Sequence, residues 1–375
     1  MKILAFNWQD IKHPLGGGAE VHFHEIFSRI VKFGHEVTLF CSSFPGSLQR
    51  ETIDGIEIIR KGGRNTFNFW VAIKYWTVFR HQHFDVIVDD INKIPFFTPI
   101  FVRKPLVGIV HHLFGKTVFL ETHFIAALYV YLSEKFIKFF YRRIPILVVS
   151  ESTREEFRQL GFPPENLVLA PNCVDPAVYR LTGVGKSKPP VVGYFGRLKK
   201  YKSIDHLLRA FQIVRKDFPE ARLKIVGDGD DRTRLESITQ ELALRDSVEF
   251  TGYVSVGKKV EHLQEMCFVV NTSSKEGWGL TVLEANACGT CVIASNVPGL
   301  RDSVIDDETG LLYEYGNIEQ LAEKMALLLR DQALTSRLSK NALEWSKKFR
   351  WENSARKTLE VLEKTVASAT SLSPR

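Results

Sequence analysis

Two glutamates eight residues apart, Glu276 and Glu284, stand in the stretch SKEGWGLTVLEANACGTCVIASNV at 274–297. Glu276 lies in a loop where Gly277 and Gly279 flank Trp278, and Glu284 falls about one and a half turns into the helix expected to follow. A glycine-rich loop lets backbone N–H groups come close to a ligand where a helix begins, a device for holding an anionic or polyhydroxylated molecule. Carboxylates at those places can accept hydrogen bonds from hydroxyls on two sides of one ligand, such as a sugar and a ribose, and no acid–base pairing is required. Read in isolation, either glutamate is more often a surface residue.

Three more places carry residue types suited to such a ligand. Arg197 and Lys202 sit on the loop between a strand at Val191–Phe195 and a helix starting near Ser203. Two cations there suit a diphosphate, Arg as a planar fork and Lys as a point charge; a solvated surface is the plain alternative. Gly16, Gly17 and Gly18 follow a strand at Lys2–Phe6 and precede a helix with Phe23, Phe27 and Ile30 on one face. They would let the backbone approach a diphosphate or would simply make a tight turn. His111 directly follows a strand at Leu106–Val110, at the end where ligand-facing groups collect, and His112 has the weaker claim. His22/His24 and His81/His83 are spaced i, i+2, so neither pair shares a helix face and metal binding is not expected. Cys288 and Cys291 form a single C-x-x-C at a helix-to-strand turn among apolar residues, which reads as two packed thiols rather than a redox or zinc motif.

These positions require strands that end in loops and helices that start from them. Apolar runs at His35–Phe40, Ile56–Ile59, Asp85–Val88, Ile146–Val149, Arg222–Val226, Val248–Phe250, Phe268–Val270 and in CVIAS predict further buried strands. Helices are expected over Phe67–His83, in ESTREEFRQLG after a capping Ser150, in LTVLEANAC, and from about Ile318 to Lys364 with a break near Trp345–Trp351. Alternating strands and helices predict an α/β chain of doubly wound parallel sheets covered on both faces. Periodicity lapses and proline density rises in FPPENLVLAPNCVDPAVYRLTGVGKSKPP at 162–190, and the hinge is placed between Pro171 and Pro190. The expected division is 1–175, 176–350, and 351–375 as a C-terminal helix able to return to the first domain, with ATSLSPR as a frayed tail. FLETHFIAALYVYLSEKFIKFFYRR at 119–143 reads first as a core helix with a solvated basic end. A helix lying at a membrane interface is the alternative, and the apolar residues do not settle into one clean stripe.

At 375 residues the chain exceeds one ordinary core, and 45% hydrophobic with 25% charged residues is a globular composition. The net charge of +7 is spread over both halves, and no basic run interleaves with aromatics, so a dedicated nucleic-acid binder is not expected. A weak attraction to anionic lipid stays open. No window of eighteen apolar residues spans a bilayer. The start, MKILAF, reads as a buried strand rather than a leader, and five cysteines is an odd count, so the reading is a reducing cytoplasm, with the inner face of a membrane open.

The chain resembles the retaining glycosyltransferases of family 4, which have the GT-B fold of two facing Rossmann-like domains with an interdomain cleft. The resemblance covers essentially all of it. It is carried by GGAE at Gly17–Glu20, PNCVD at Pro171–Asp175, FGRLKKYKSIDHLLRAF, and KEGWGLTVLEANACGT, the last being similar to the family's E-x7-E signature. Cys173, Ser203 and Cys291 stand where the family customarily has glycine, glycine and proline. The resemblance implies that Arg197 and Lys202 neutralise the leaving diphosphate and that Glu276 holds a sugar hydroxyl. It implies that backbone N–H groups of Gly277, Trp278, Gly279 and Leu280 reach sugar and phosphate, and that Glu284 binds the ribose. Gly17 and Gly18 would approach the diphosphate, His111 would sit near the reacting sugar, and Tyr253 and Val254 would offer backbone to the base. No metal and no cofactor beyond a nucleotide-sugar donor, GDP-mannose or UDP-glucose first, are implied, and the chain offers no convincing carboxylate metal cluster. The implied activity is transfer of a hexose with retention to a hydroxyl acceptor, a lipid-linked or cell-envelope glycan. The acceptor would bind near Asp90–Pro95 and the aromatic helices, with closure of the two domains around the donor. A nucleotide-sugar epimerase, a phosphorylase and a non-catalytic nucleotide-sugar binder are the rival readings; the oligomeric state is not legible.

Overall fold

The computed structural model describes residues 1–63, 66–92 and 94–372, the side chains of Leu120 and Leu372 excepted. The chain forms two compact units, Met1–Asn172 with Trp351–Arg375, and Cys173–Arg350.

The first unit runs β1 (Lys2–Phe6), α1 (Gly18–Lys32), β2 (Glu36–Cys41), β3 (Arg50–Ile53), β4 (Ile56–Arg60), α2 (Phe67–Thr77), β5 (Val86–Ile91), β6 (Leu106–Val110), α3 (Phe124–Phe140), β7 (Ile146–Val148), α4 (Glu151–Gln159) and β8 (Leu167–Leu169). Its sheet has the order β3-β4-β2-β1-β5-β6-β7-β8, parallel throughout except for β3. Strand β5 is buried along its whole length, as a parallel strand covered on both faces must be. Ile3 aligns with Val86 and Ile91 with Val110, which brings the carboxyl ends of β1, β5 and β6 side by side. Phe6, Phe40, Phe67 and Phe79 pack under one face, with ring centroids 5.1–6.3 Å apart. Each such ring, wholly buried, contributes about 2–3 kcal/mol. Ser150 caps α4, its Oγ accepting from the Thr153 N–H at 3.1 Å.

The second unit runs β9 (Val191–Phe195), α5 (Ile204–Val214), β10 (Arg222–Val226), α6 (Arg232–Glu241), β11 (Val248–Gly252), α7 (Val256–Glu265), β12 (Phe268–Asn271), α8 (Leu280–Ala287), β13 (Val292–Ser295), α9 (Leu300–Ser303), β14 (Gly310–Tyr313), α10 (Ile318–Arg330) and α11 (Gln332–Ser346). Its sheet, β11-β10-β9-β12-β13-β14, is entirely parallel. Helix α5 buries Ile204, Leu207, Leu208, Phe211 and Val214 against it, the face its apolar spacing predicts. The chain then returns to the first unit as α12 (Trp351–Leu372). There the Ser354 hydroxyl donates to the Pro171 carbonyl at 2.9 Å, Arg29 pairs with Glu352 at 2.9 Å, and Arg356 lies over the Phe33 ring at 4.9 Å.

Five expectations change. The expected Phe67–His83 helix ends at Thr77, and Phe79–His81 is a separate 3₁₀ turn. The proline-rich stretch contains β8, and β3 forms a hairpin with β4. The expected tail at 369–372 is helical, while 373–375 lie outside the described residues. Helix α3 is no core helix. Ala127, Ser133, Glu134 and Ile137 point inward, while Ile125, Leu128, Leu132, Phe136 and Phe139 share an outward stripe.

Candidate functional site

In the second unit, strand order reverses between β9 and β12: β9 leads on to β10 on one side and β12 to β13 on the other. In doubly wound sheets a ligand binds at the carboxyl ends flanking such a reversal. The loop after β9 carries Arg197 and Lys202, and the loop after β12 carries Glu276. The two loops are tied together. The Ser274 N–H donates to the Tyr201 carbonyl at 2.8 Å, and the Thr272 hydroxyl donates to the Lys202 carbonyl at 2.8 Å. Lys202 Nζ pairs with Glu276 Oε1, with side-chain exposures of only 13% and 15%. Burial alone would lower the Lys202 pKa, but the Glu276 charge beside it outweighs that and the ammonium is held above its usual range. Ser273 Oγ lies 2.8 Å from the same carboxylate oxygen and adds a polar partner.

Two backbone features hold these groups. The β9–α5 loop leans on the GDGDD segment: the Leu198 N–H donates to the Asp228 carbonyl at 2.9 Å, and the Asp231 N–H to the Leu198 carbonyl at 3.1 Å. A Cβ at Gly227 would lie 2.0 Å from the Gly196 carbonyl oxygen, so this G-x-G serves close loop packing. Gly299, in the turn after β13, has φ +83°, and a Cβ there would lie 2.3 Å from the Glu276 carbonyl oxygen. That turn therefore supports the Glu276 backbone from behind.

Helix α8 starts at Leu280 behind Gly279, whose φ of +84° lets the chain turn sharply into it. The Trp278 side chain turns inward, 5.1 Å from the Phe349 ring. Glu284 is buried on α8 and pairs with Lys259 Nζ of α7 at 2.6 Å; Lys259 also lies over the Tyr179 ring at 5.4 Å. Burial and then the Glu284 charge push the Tyr179 phenol up. Arg197 is exposed on its loop, Tyr253 is exposed just past β11, and Val254 beside it is half-buried. Cys288 and Cys291 are buried free thiols, with Cys288 pushed up to about 12 by burial.

In the first unit, strand order reverses between β1 and β5, and a buried polar chain fills that point. Gly17 N–H donates to Glu20 Oε2 at 2.6 Å, Asn92 Nδ2 donates to Glu20 Oε1 at 2.8 Å and to Asn7 Oδ1 at 2.9 Å, and Asn7 Nδ2 donates to Asp90 Oδ2 at 3.0 Å. Asp90 Oδ1 lies 2.8 Å from His111 Nε2, and the His22 ring stands edge-on to His111 at 5.0 Å. Burial holds His111 near 4, so the imidazole is neutral at ordinary pH. Burial and then the Glu20 charge raise Asp90. The Gly17 N–H is thus engaged by Glu20, while Gly18, the first helical residue, has open space around it. His22 Nε2 lies 3.2 Å from the Ala170 carbonyl oxygen. Among the described residues no group of three His, Cys, Asp or Glu side chains is gathered as a metal-ligand set.

The family model for glycosyl transferases group 1 matches residues 183–345, and that for glycosyltransferase family 4 matches residues 16–178. The chain belongs to this family of glycosyltransferases. Its sheets and its structural likenesses are those of the GT-B fold. It is similar to sucrose-phosphate synthase of Thermosynechococcus elongatus, with a TM-score of 0.81 and 23% identity over 98% of this chain and 99% of that one. It is also similar to Anabaena HepE in complex with UDP and glucose, with a TM-score of 0.76 and 20% identity over 97% and 100%. A curated relative, the poly(glycerol-phosphate) alpha-glucosyltransferase of Bacillus subtilis strain 168, is 27% identical over 54% of this chain and 30% of its own length. The matched stretch spans 30% to 47% of the first curated relatives.

Within this chain, the structure brings Lys202 and Glu276 into contact and sets His111 against Asp90. Sequence reasoning missed Lys259, Ser273, Gly299 and Asn7. Asp90 was named only as the start of the expected acceptor region, Asp90–Pro95, and not as the partner of His111.

Proposed function

We propose that the protein is a retaining hexosyltransferase that uses a nucleotide-diphosphate sugar and a hydroxyl acceptor. The observation that carries this reading is the Lys202–Glu276 pair at the β9/β12 reversal of the second unit. An ammonium already held beside a carboxylate presents a cation for a phosphate and an acceptor for a sugar hydroxyl in one place. Arg197 and Lys202 take the diphosphate charge. Backbone N–H groups of Gly277–Leu280 at the start of α8 supplement them, and this charge stabilisation is the part a metal plays in other transferases. Glu276 accepts from the sugar, and Glu284, its charge balanced by Lys259, accepts from the ribose. The bond between the anomeric carbon and the phosphate oxygen breaks. The acceptor oxygen bonds to that carbon from the same face, and its proton passes to the departing phosphate, so a nucleoside diphosphate leaves.

His111 of the first unit, kept neutral, is assigned to the reacting sugar. The likeness to HepE bound to UDP and glucose supports a nucleotide-sugar donor, with UDP-glucose ahead of GDP-mannose. The glucosyltransferase relative supports an acceptor of the polyol-phosphate or cell-envelope kind. The test is a panel of nucleotide sugars with and without hydroxyl acceptors, followed by NMR of the product's anomeric proton. The expected product is an α-glycoside from an α-configured donor. A β-glycoside, or a new nucleotide sugar formed without acceptor, would overturn the reading.

A further inference from the structure

An amphipathic helix at a protein surface normally turns its apolar stripe inward. Helix α3 turns most of its large apolar side chains outward instead. Its inward face carries Ala127 and Ile137 together with Ser133 and Glu134, and the Glu134 carboxylate accepts from the Phe114 N–H at 2.6 Å and the Gly115 N–H at 2.8 Å. Its outward stripe leaves Ile125 83% exposed and Phe139 67% exposed, with Leu128, Leu132 and Phe136 between them. Helix α2 adds Phe69, Ile73 and Trp76 on its own exposed face, at i, i+4 and i+7. The two helices meet where Asn68 Nδ2 donates to the Tyr129 hydroxyl at 3.1 Å, so the stripes belong to one area of the first unit. Scattered apolar residues on a surface mean little, but a continuous two-helix face does.

Charge decides what covers that face. Helix α2 carries no acid, and the one acid of α3, Glu134, is buried. Exposed cations border the stripe: Lys135, Lys138, Arg142 and Arg143 along and beyond α3, and Arg80 beyond α2. Lys138 Nζ lies 5.1 Å from the Phe139 ring centre and the Arg80 guanidinium 5.0 Å from that of Trp76, cations set beside aromatics as at a headgroup boundary. At the end of the stripe a cavity of about 600 Å³ opens, lined by Phe139 and Phe140 together with Arg103, Lys104 and Arg143. A second copy of this chain would set cations against cations. Among the described residues no helix is long and apolar enough to cross a membrane, so contact would be at the surface.

We infer that the α2–α3 face docks on an anionic lipid bilayer, with the apolar stripe entering the interface and a headgroup phosphate seated among Arg103, Lys104 and Arg143. This does not depend on the donor chemistry proposed above. The geometry is that of an interfacial helix, in which apolar area and cations act together.

The test is co-sedimentation of the full chain with phosphatidylcholine vesicles, with and without phosphatidylglycerol, at low and high salt. Binding should require the anionic lipid and weaken with salt. At about 1 kcal/mol for each cation near the surface, Lys135→Ala with Lys138→Ala should weaken binding roughly 30-fold. Ile125→Glu with Leu132→Glu should abolish it at exposed positions. Folding of each variant is checked by circular dichroism and by an unchanged thermal unfolding midpoint. Excess inorganic phosphate, compared at matched ionic strength, should leave vesicle binding largely intact, because the stripe remains in the interface. Four results would overturn the inference: no vesicle binding, equal binding to neutral vesicles, complete displacement by phosphate, or concentration-dependent dimers that the Ile125→Glu/Leu132→Glu variant dissolves.

Discussion

Asp89 offers a quantitative test of how tightly the first unit is built. Its carboxylate is fully buried at the carboxyl end of β5, accepts from Thr98 Oγ1 at 2.6 Å and from the Tyr141 hydroxyl at 2.5 Å, and leaves Oδ1 without a partner. Burial dominates over both hydrogen bonds and raises its pKa from 3.8 to about 6. The folded state therefore holds the proton more tightly than the unfolded chain. Below 3.8 the group is neutral in both states and adds no penalty; between 3.8 and about 6 the penalty on the folded state grows; above that it stays level. A shift of that size corresponds to about 3 kcal/mol at neutral pH. Asp89→Asn keeps an acceptor for Thr98 and Tyr141 but cannot ionise. The advantage of the variant over the wild type should therefore rise by about 3 kcal/mol as pH climbs through that window, whatever its offset at the acid end. Amide hydrogen exchange of the β5 peptides, compared between the two proteins at each pH, reads this in the unit concerned. A difference that stays flat from acid to neutral pH, or grows toward acid, would refute the reasoning.

Gly299→Ala should strain the turn behind Glu276, costing roughly 1–3 kcal/mol, and should remove the stabilisation given by a nucleotide sugar in a thermal shift. Gly316→Ala, at φ +89° with no atom near the new Cβ, is the control: it should lose stability yet keep the ligand response. For His111, burial near 4 means that its protonation should leave turnover level between pH 8 and 5. An acid limb near 6.5 that disappears in His111→Gln would contradict the neutral buried imidazole. His111→Ala should lower turnover while nucleotide binding in the second unit persists.

Much of the fold was legible because parallel strands buried on both faces are unbroken apolar runs; β6, β9 and β10 have the bounds read from the residues. Strand β3 escaped because it is short, polar and at an edge. Its signal was nonetheless present, since Asp54 and Gly55, with φ of 47° and 83°, make the Asp-Gly turn favoured in two-residue hairpins. Strand β8 hid among prolines that mark a chain crossing. Helix α3 reads first as a core helix because its apolar residues show no clean stripe in the sequence, and which face of a helix turns inward is decided by its neighbours. Lys202 and Glu276 could be named from loop position together with the family resemblance. Their contact could not, nor could the support from Gly299 or the partnership of Lys259 with Glu284, because each joins segments separated by more than twenty residues.

The most direct measurement is transfer activity and nucleotide-sugar stabilisation of Lys202→Ala and Glu276→Ala beside the wild type. The account predicts that both variants fold and that both lose turnover by roughly a thousandfold, as removal of an electrostatic contact in a dry site does. Near-normal turnover in both would contradict it.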